Sequence, residues 1–83
     1  MSSEKKKEVS ILVGNRIRSI RQKRGLTMEQ LSYELGIEYT QLSRIERGII
    51  NTSVFQLFMI SRALNVDFEE IVCDLNGIEF HFD

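Results

Sequence analysis

Between Thr27 and Gly48 the chain carries two short apolar stripes separated by a glycine, TMEQLSYELGIEYTQLSRIERG, and no other stretch constrains the fold as tightly. Leu31 and Leu35 stand four apart, and Leu42 and Ile45 three apart, so each half has the narrow inward face of a short amphipathic helix. Gly36 can take the left-handed conformation that closes a helix, and Ile37 is the apolar residue that packs back on the turn just finished. The second helix is left with Tyr39, Thr40, Gln41, Ser43, Arg44 and Arg47 outward. These groups hydrogen-bond readily to base edges and phosphates, and such a face suits a major groove.

The flanking residues predict three more helices. A first helix is expected from about Val9 to Arg24, with Val13, Ile17 and Ile20 inward, and Gly25 ends it. Gly14 inside it costs roughly 1 kcal/mol relative to alanine. Either a neighbouring backbone passes close there, or the turns carrying Ile11 and Leu12 are only conditionally helical. The second helix starts at Thr27 with Gln30 three residues on, a capping box; the third follows Glu38, a mediocre cap. A fourth helix starts at Ser53 with Gln56 in the box position and turns Val54, Leu57, Ile60 or Ser61, and Leu64 inward. A fifth starts at Asp67 with Glu70, burying Phe68 and Ile71. Beyond the turn signal Asn76-Gly77, Ile78, Phe80 and Phe82 alternate with Glu79, His81 and Asp83 in the period of a half-buried strand. The expected fold is all-α, a compact bundle of four or five helices with a short C-terminal extension that has strand character.

With 83 residues in one continuous pattern the chain is read as a single domain, burying about 60–65% of its unfolded surface. Residues 1–8 form a flexible basic arm, 9–72 the helical domain, and 73–83 the extension. There is no apolar run long enough for a membrane span and no leader pattern, so a cytoplasmic protein is expected. The single cysteine, Cys73, has no partner for an internal disulfide and no zinc-site spacing; it is read as a small apolar filler. His81, the only histidine, reads as a strand residue. No nucleophile, base and orienter occur together and no phosphate-binding glycine loop is present, so neither catalysis, metal, cofactor nor a small-molecule effector is expected. The net charge of −1 conceals an asymmetry: residues 1–50 hold ten basic side chains against six acidic ones, residues 51–83 one against six. A basic N-terminal half would face phosphate while the acidic half is repelled.

Thr27 to Gly48 thus has the form of a helix-turn-helix, and from about Val13 to Ile71 the sequence resembles the Cro/repressor (XRE-type) transcriptional regulators. The resemblance rests on Gly25-Leu26-Thr27, Leu31-Ser32, Leu35-Gly36-Ile37, Ser43-Arg44-Ile45-Glu46-Arg47-Gly48, Asn51-Thr52-Ser53 and Ala63-Leu64-Asn65-Val66, in that order. Met28 stands where the family usually has glutamine, Glu38 where a serine-like cap is common, and Thr52 where proline is usual. The resemblance implies a lambda-repressor-like fold and double-stranded DNA as the partner. It assigns base reading to Tyr39, Thr40, Gln41 and Arg44, near the recognition helix's N-terminus. Phosphate contacts fall to Arg16, Thr27, Met28, Ser43, Arg47 and Asn51, with Met28 alternatively pressing on a sugar or thymine methyl. Arg21 and Glu46 occupy positions that the family often uses for a partly buried structural ion pair.

Phe55 and Met59 lie four apart on the fourth helix where relatives usually carry charges, and Phe58 adds to that surface. With Ile78, Phe80 and Phe82 of the extension they are read as the interface of a homodimer, whose recognition helices would lie about 34 Å apart. In a rival account the tail folds back over its own Phe55 and Met59. The expected function is sequence-specific regulation of transcription on a two-fold symmetric operator. The alternatives are an antitoxin or restriction-control regulator with the same domain, and a protein–protein interaction module using the helical bundle.

Overall fold

Each helix ends where local chemistry stops it. In the computed structural model, which describes residues 3–73 and 75–78, these are α1 (Ser3–Lys23), α2 (Met28–Leu35), α3 (Tyr39–Glu46), α4 (Val54–Ala63) and α5 (Phe68–Val72), followed by a single 3-10 turn over Leu75–Gly77. Thr27 Oγ1 accepts from Gln30 N–H at 3.1 Å, and Gln30 Oε1 accepts from Thr27 N–H at 2.8 Å, completing the capping box of α2. Ser53 Oγ accepts from Gln56 N–H at 3.0 Å at the start of α4, and Glu70 Oε2 accepts from Asp67 N–H at 3.0 Å at the start of α5. Glu38 makes no side-chain cap. Gly36 (φ 69°) closes α2, and the Ile37 amide donates back to Ser32 O at 3.1 Å, so the turn between α2 and α3 is built as its residues dictate.

One core runs through all five helices. Ile17 of α1, Leu31 of α2, Leu42 of α3, Ile60 of α4 and Ile71 of α5 are fully buried, joined by Leu64 at the C-cap of α4. α1 packs on α3 and α5, α2 on α3 and α4, and α4 on α5. Ser61, also fully buried, keeps its hydroxyl satisfied by donating to Phe58 O at 2.6 Å.

Two expectations are corrected, and a third falls outside the described residues. The arm over residues 1–8 is, from Ser3 onward, the first turns of α1. It lacks an apolar stripe of its own, but neither glycine nor proline interrupts it, and Lys5 pairs with Glu8 one turn on at 3.3 Å. Val54, expected inward, is 73% exposed. It shares an angular position with Ser61 but sits in the first turn of α4, where no other described element covers that stripe. Asn76-Gly77 lies within the 3-10 turn. Ile78 follows it as a half-buried residue beside Glu8, Ile11, Leu12 and Asn15 of α1, while the strand expected over Glu79 to Asp83, with Phe80, His81 and Phe82, falls outside the described residues.

Gly14 resolves an ambiguity left by the sequence. A Cβ added there would stand 2.6 Å from Glu46 O and closer still to Ile45 O. The last turn of α3 therefore passes directly against the α1 backbone, and α1 is helical throughout.

Candidate nucleic-acid interface

Because Leu42 and Ile45 are drawn into the core, the opposite side of α3 faces solvent. Tyr39, Thr40, Gln41 and Arg44 are all exposed there, with Tyr39 at 44%. Thr40, Arg44 and Arg47 follow the i, i+4, i+7 spacing of one ridge, so two cations continue a line begun by a hydroxyl. Gln41 and Arg44 have the planar ends needed for bidentate pairing with adenine and guanine.

The orientation of this ridge is set from behind. Arg21 of α1 donates through Nε to Glu46 Oε2 at 2.7 Å and through Nη2 to Glu46 Oε1 at 2.9 Å, a bidentate fork. Its third donor, Nη1, reaches Leu26 O at 2.9 Å. Glu46 is fully buried and Arg21 nearly so, and Arg18 Nε stands 3.6 Å from Glu46 Oε1. The carboxylate is thus held between two guanidinium groups. Arg18 was not singled out in the sequence; its spacing of three from Arg21 puts both on one face of α1, which is the signal that would have found it. Among the described residues no buried polar side-chain atom lacks a partner.

The residues assigned to phosphate divide. Thr27, Arg47 and Asn51 are exposed at the two ends of the α2–α3 unit. Thr27 Oγ1 is occupied as acceptor by the cap, which leaves its hydroxyl proton free to donate. Arg47 Nε leans on Ser43 O at 3.4 Å, and Ser43 itself is half-buried. Met28 packs its side chain against the core, leaving its backbone at the first turn of α2 as the part that can face a ligand. Arg16 Nη1 donates to Glu70 O at 3.3 Å and to Cys73 Sγ, which turns its guanidinium toward the end of α5. Residues on one helix can point to opposite sides of a bundle, and composition alone does not separate them. Arg24 likewise donates to Asn65 O, at 3.2 Å, behind α4.

On α4, Phe55 is 69% exposed, Phe58 47% and Met59 37%, and with Val54 they make a continuous apolar surface. No helix among the described residues is long and apolar enough to cross a membrane. No cluster of three or more potential metal ligands occurs among them.

The model of the helix-turn-helix family HTH_3 matches residues 17–71, which takes in the last third of α1, the whole of α2, α3 and α4, and all but the last residue of α5. Over 69 residues the chain is 36% identical to the uncharacterized HTH-type transcriptional regulator y4dJ of Sinorhizobium fredii, covering 83% of this chain and 90% of that one. It is 34% identical over 65 residues to control protein C.BamHI of Bacillus amyloliquefaciens, covering 77% and 80%. Among solved structures, the restriction-modification controller protein C.AhdI from Aeromonas hydrophila superimposes with a TM-score of 0.71 at 28% identity, over 74% of this chain and 92% of that one.

Proposed function

The chain belongs to the HTH_3 family of XRE-type helix-turn-helix transcriptional regulators, which are DNA-binding proteins and not enzymes, and from that premise we propose that it works as a homodimer on a two-fold symmetric operator. The observation that carries this reading is the exposed ridge of α3, backed by the buried Arg21–Glu46 fork and set apart from an uncovered apolar surface on α4. Tyr39, Thr40, Gln41 and Arg44 read bases from the major groove, and Thr27, Ser43, Arg47, Asn51 and the backbone at Met28 hold phosphates on either side. Phe55 and Met59 meet their counterparts across the two-fold axis, joined by Phe80 and Phe82 of the tail. Ile78 lies beside α1. The basic first half turns toward DNA, and the acidic N-cap and first turn of α5, Asp67, Glu69 and Glu70, turn away from it. The cytoplasm is the compartment in which such a protein meets its operator.

Selection of bound sequences from random duplexes, with sedimentation of the free protein, tests the reading. The expected product is a palindrome with half-site centres about 10–10.5 base pairs apart, bound by a dimer. Enrichment of a single unsymmetrical half-site by a monomer refutes the homodimer, and no enrichment refutes sequence-specific binding. The similarity to C.BamHI and C.AhdI favours a narrower role, control of restriction–modification genes. Genomic footprinting tests it: the strongest site should lie upstream of an endonuclease or methyltransferase gene.

A further inference from the structure

The helical start of α1 carries lysines to the end of the recognition helix. Lys6, Lys7 and Ser10 form one wall of a cleft of about 390 Å³, and Arg47, Ile49 and Asn51 form the other. Gly48 makes the floor possible, since a Cβ there would lie 2.7 Å from the Ile11 backbone nitrogen, so α1 crosses directly over the α3–α4 loop. The lining includes three cations and no carboxylate. Glu8, the nearest acid along the helix, is turned to Lys5 at 3.3 Å and does not line the cleft. Three positive groups with the amide of Asn51 and the hydroxyl of Ser10 as neutral donors fit a run of phosphodiesters.

We propose that this cleft holds the DNA backbone flanking each half-site, with Lys6 and Lys7 as phosphate contacts beyond those of Arg47 and Asn51. The inference rests on the DNA-binding reading above. With α3 in the major groove, its C-terminal end and the loop after it face one bordering strand, and the α1 lysines extend that contact outward along the same strand. The footprint is then longer than the α2–α3 unit alone would cover, and the added part is indifferent to sequence.

The test is the Lys6→Gln, Lys7→Gln double variant of the full chain, titrated by fluorescence anisotropy against the selected palindrome and a scrambled duplex over a range of salt. Both lysines are exposed and glutamine is a comparable helix former, so the melting temperature should not move. Two lost contacts at about 0.9 each lower the log–log salt slope by about 1.8 per subunit, about 3.6 for the dimer, so the wild-type advantage shrinks by about two orders of magnitude between about 50 and 200 mM salt. Both duplexes should lose affinity by the same factor, with base preference intact. An unchanged slope, or a loss confined to the palindrome, overturns the cleft assignment while leaving the DNA-binding reading standing. A wild-type protein that binds neither duplex overturns that reading instead. Inorganic phosphate saturating the amide shifts of Ile49 and Asn51 at micromolar concentration would assign the cleft to a free anion and overturn the proposal.

Discussion

Replacing Gly14 by alanine sets two effects of opposite sign against each other. In a helix interior the change stabilises by about 1 kcal/mol, because alanine loses less backbone entropy. Here the new methyl would stand 2.6 Å from Glu46 O and nearer still to Ile45 O, where ordinary contact begins at 3.4 Å. Both oxygens are backbone atoms of the last turn of α3 and cannot swing aside, so α1 and α3 must part by close to an ångström to restore ordinary contact. The Arg21–Glu46 fork spans the same helix pair, and its bonds of 2.7 and 2.9 Å lengthen with any separation. Overpacking costs about 1–3 kcal/mol or more, and the rigidity of the obstacle puts this site at the upper end. After the propensity gain is subtracted, a net loss of about 2 kcal/mol remains, a fall in melting temperature of about 8–16 °C for a domain of this size. Thermal and urea denaturation followed by circular dichroism measure it. A Gly14→Ala protein that melts at or above the wild-type temperature would mean that propensity dominates and that α1 and α3 are not in backbone contact.

Glu46→Gln should destabilise by about 3–5 kcal/mol, since it leaves the Arg21 charge buried against a neutral amide, while base preference among the molecules that remain folded is unchanged; altered preference in a selection experiment would show Glu46 acting at the DNA. Thr27→Ala removes the cap of α2 and should lower the urea stability by about 1 kcal/mol, with no change at all counting against the hydrogen bond to Gln30. Arg44→Ala should cost about 1–3 kcal/mol of operator binding and relax one base position per half-site, whereas Arg47→Ala should weaken all duplexes alike and lower the salt slope by about 1. Equal losses on specific and random DNA for both variants would refute that division.

What could be read from the sequence was what short-range chemistry decides. Thr27 with Gln30, Ser53 with Gln56 and Gly36 with Ile37 mark helix ends because the partners lie within one turn of each other. The start of α1 was missed for the converse reason: Ser3 to Glu8 shows no apolar period, and its helicity comes from continuity with the packed turns that follow. Gly14 left two readings open because its constraint is a backbone thirty residues away in sequence. Val54 and Arg16 show the same limit on opposite sides of the polarity scale. A helical wheel places a residue on a face, but which neighbour covers that turn depends on the ends and crossing of other helices. The ridge of α3 was legible almost whole, since exposure there follows directly from the burial of Leu42 and Ile45.

The fork behind α3 also bears on how such a regulator can be controlled. Turning α3 relative to α1 would break a fully buried carboxylate away from its guanidinium at a cost of about 3–5 kcal/mol, so fewer than about one molecule in a hundred would hold any other orientation at rest. The reading helix therefore enters the groove preorganised, with little ordering entropy left to lose on binding. Within one subunit there is then almost no minor state for a signal to select. Adjustment of affinity is confined to what lies outside the fork: the separation of two reading helices, the coverage of α4, or the ease with which the DNA itself bends to meet them.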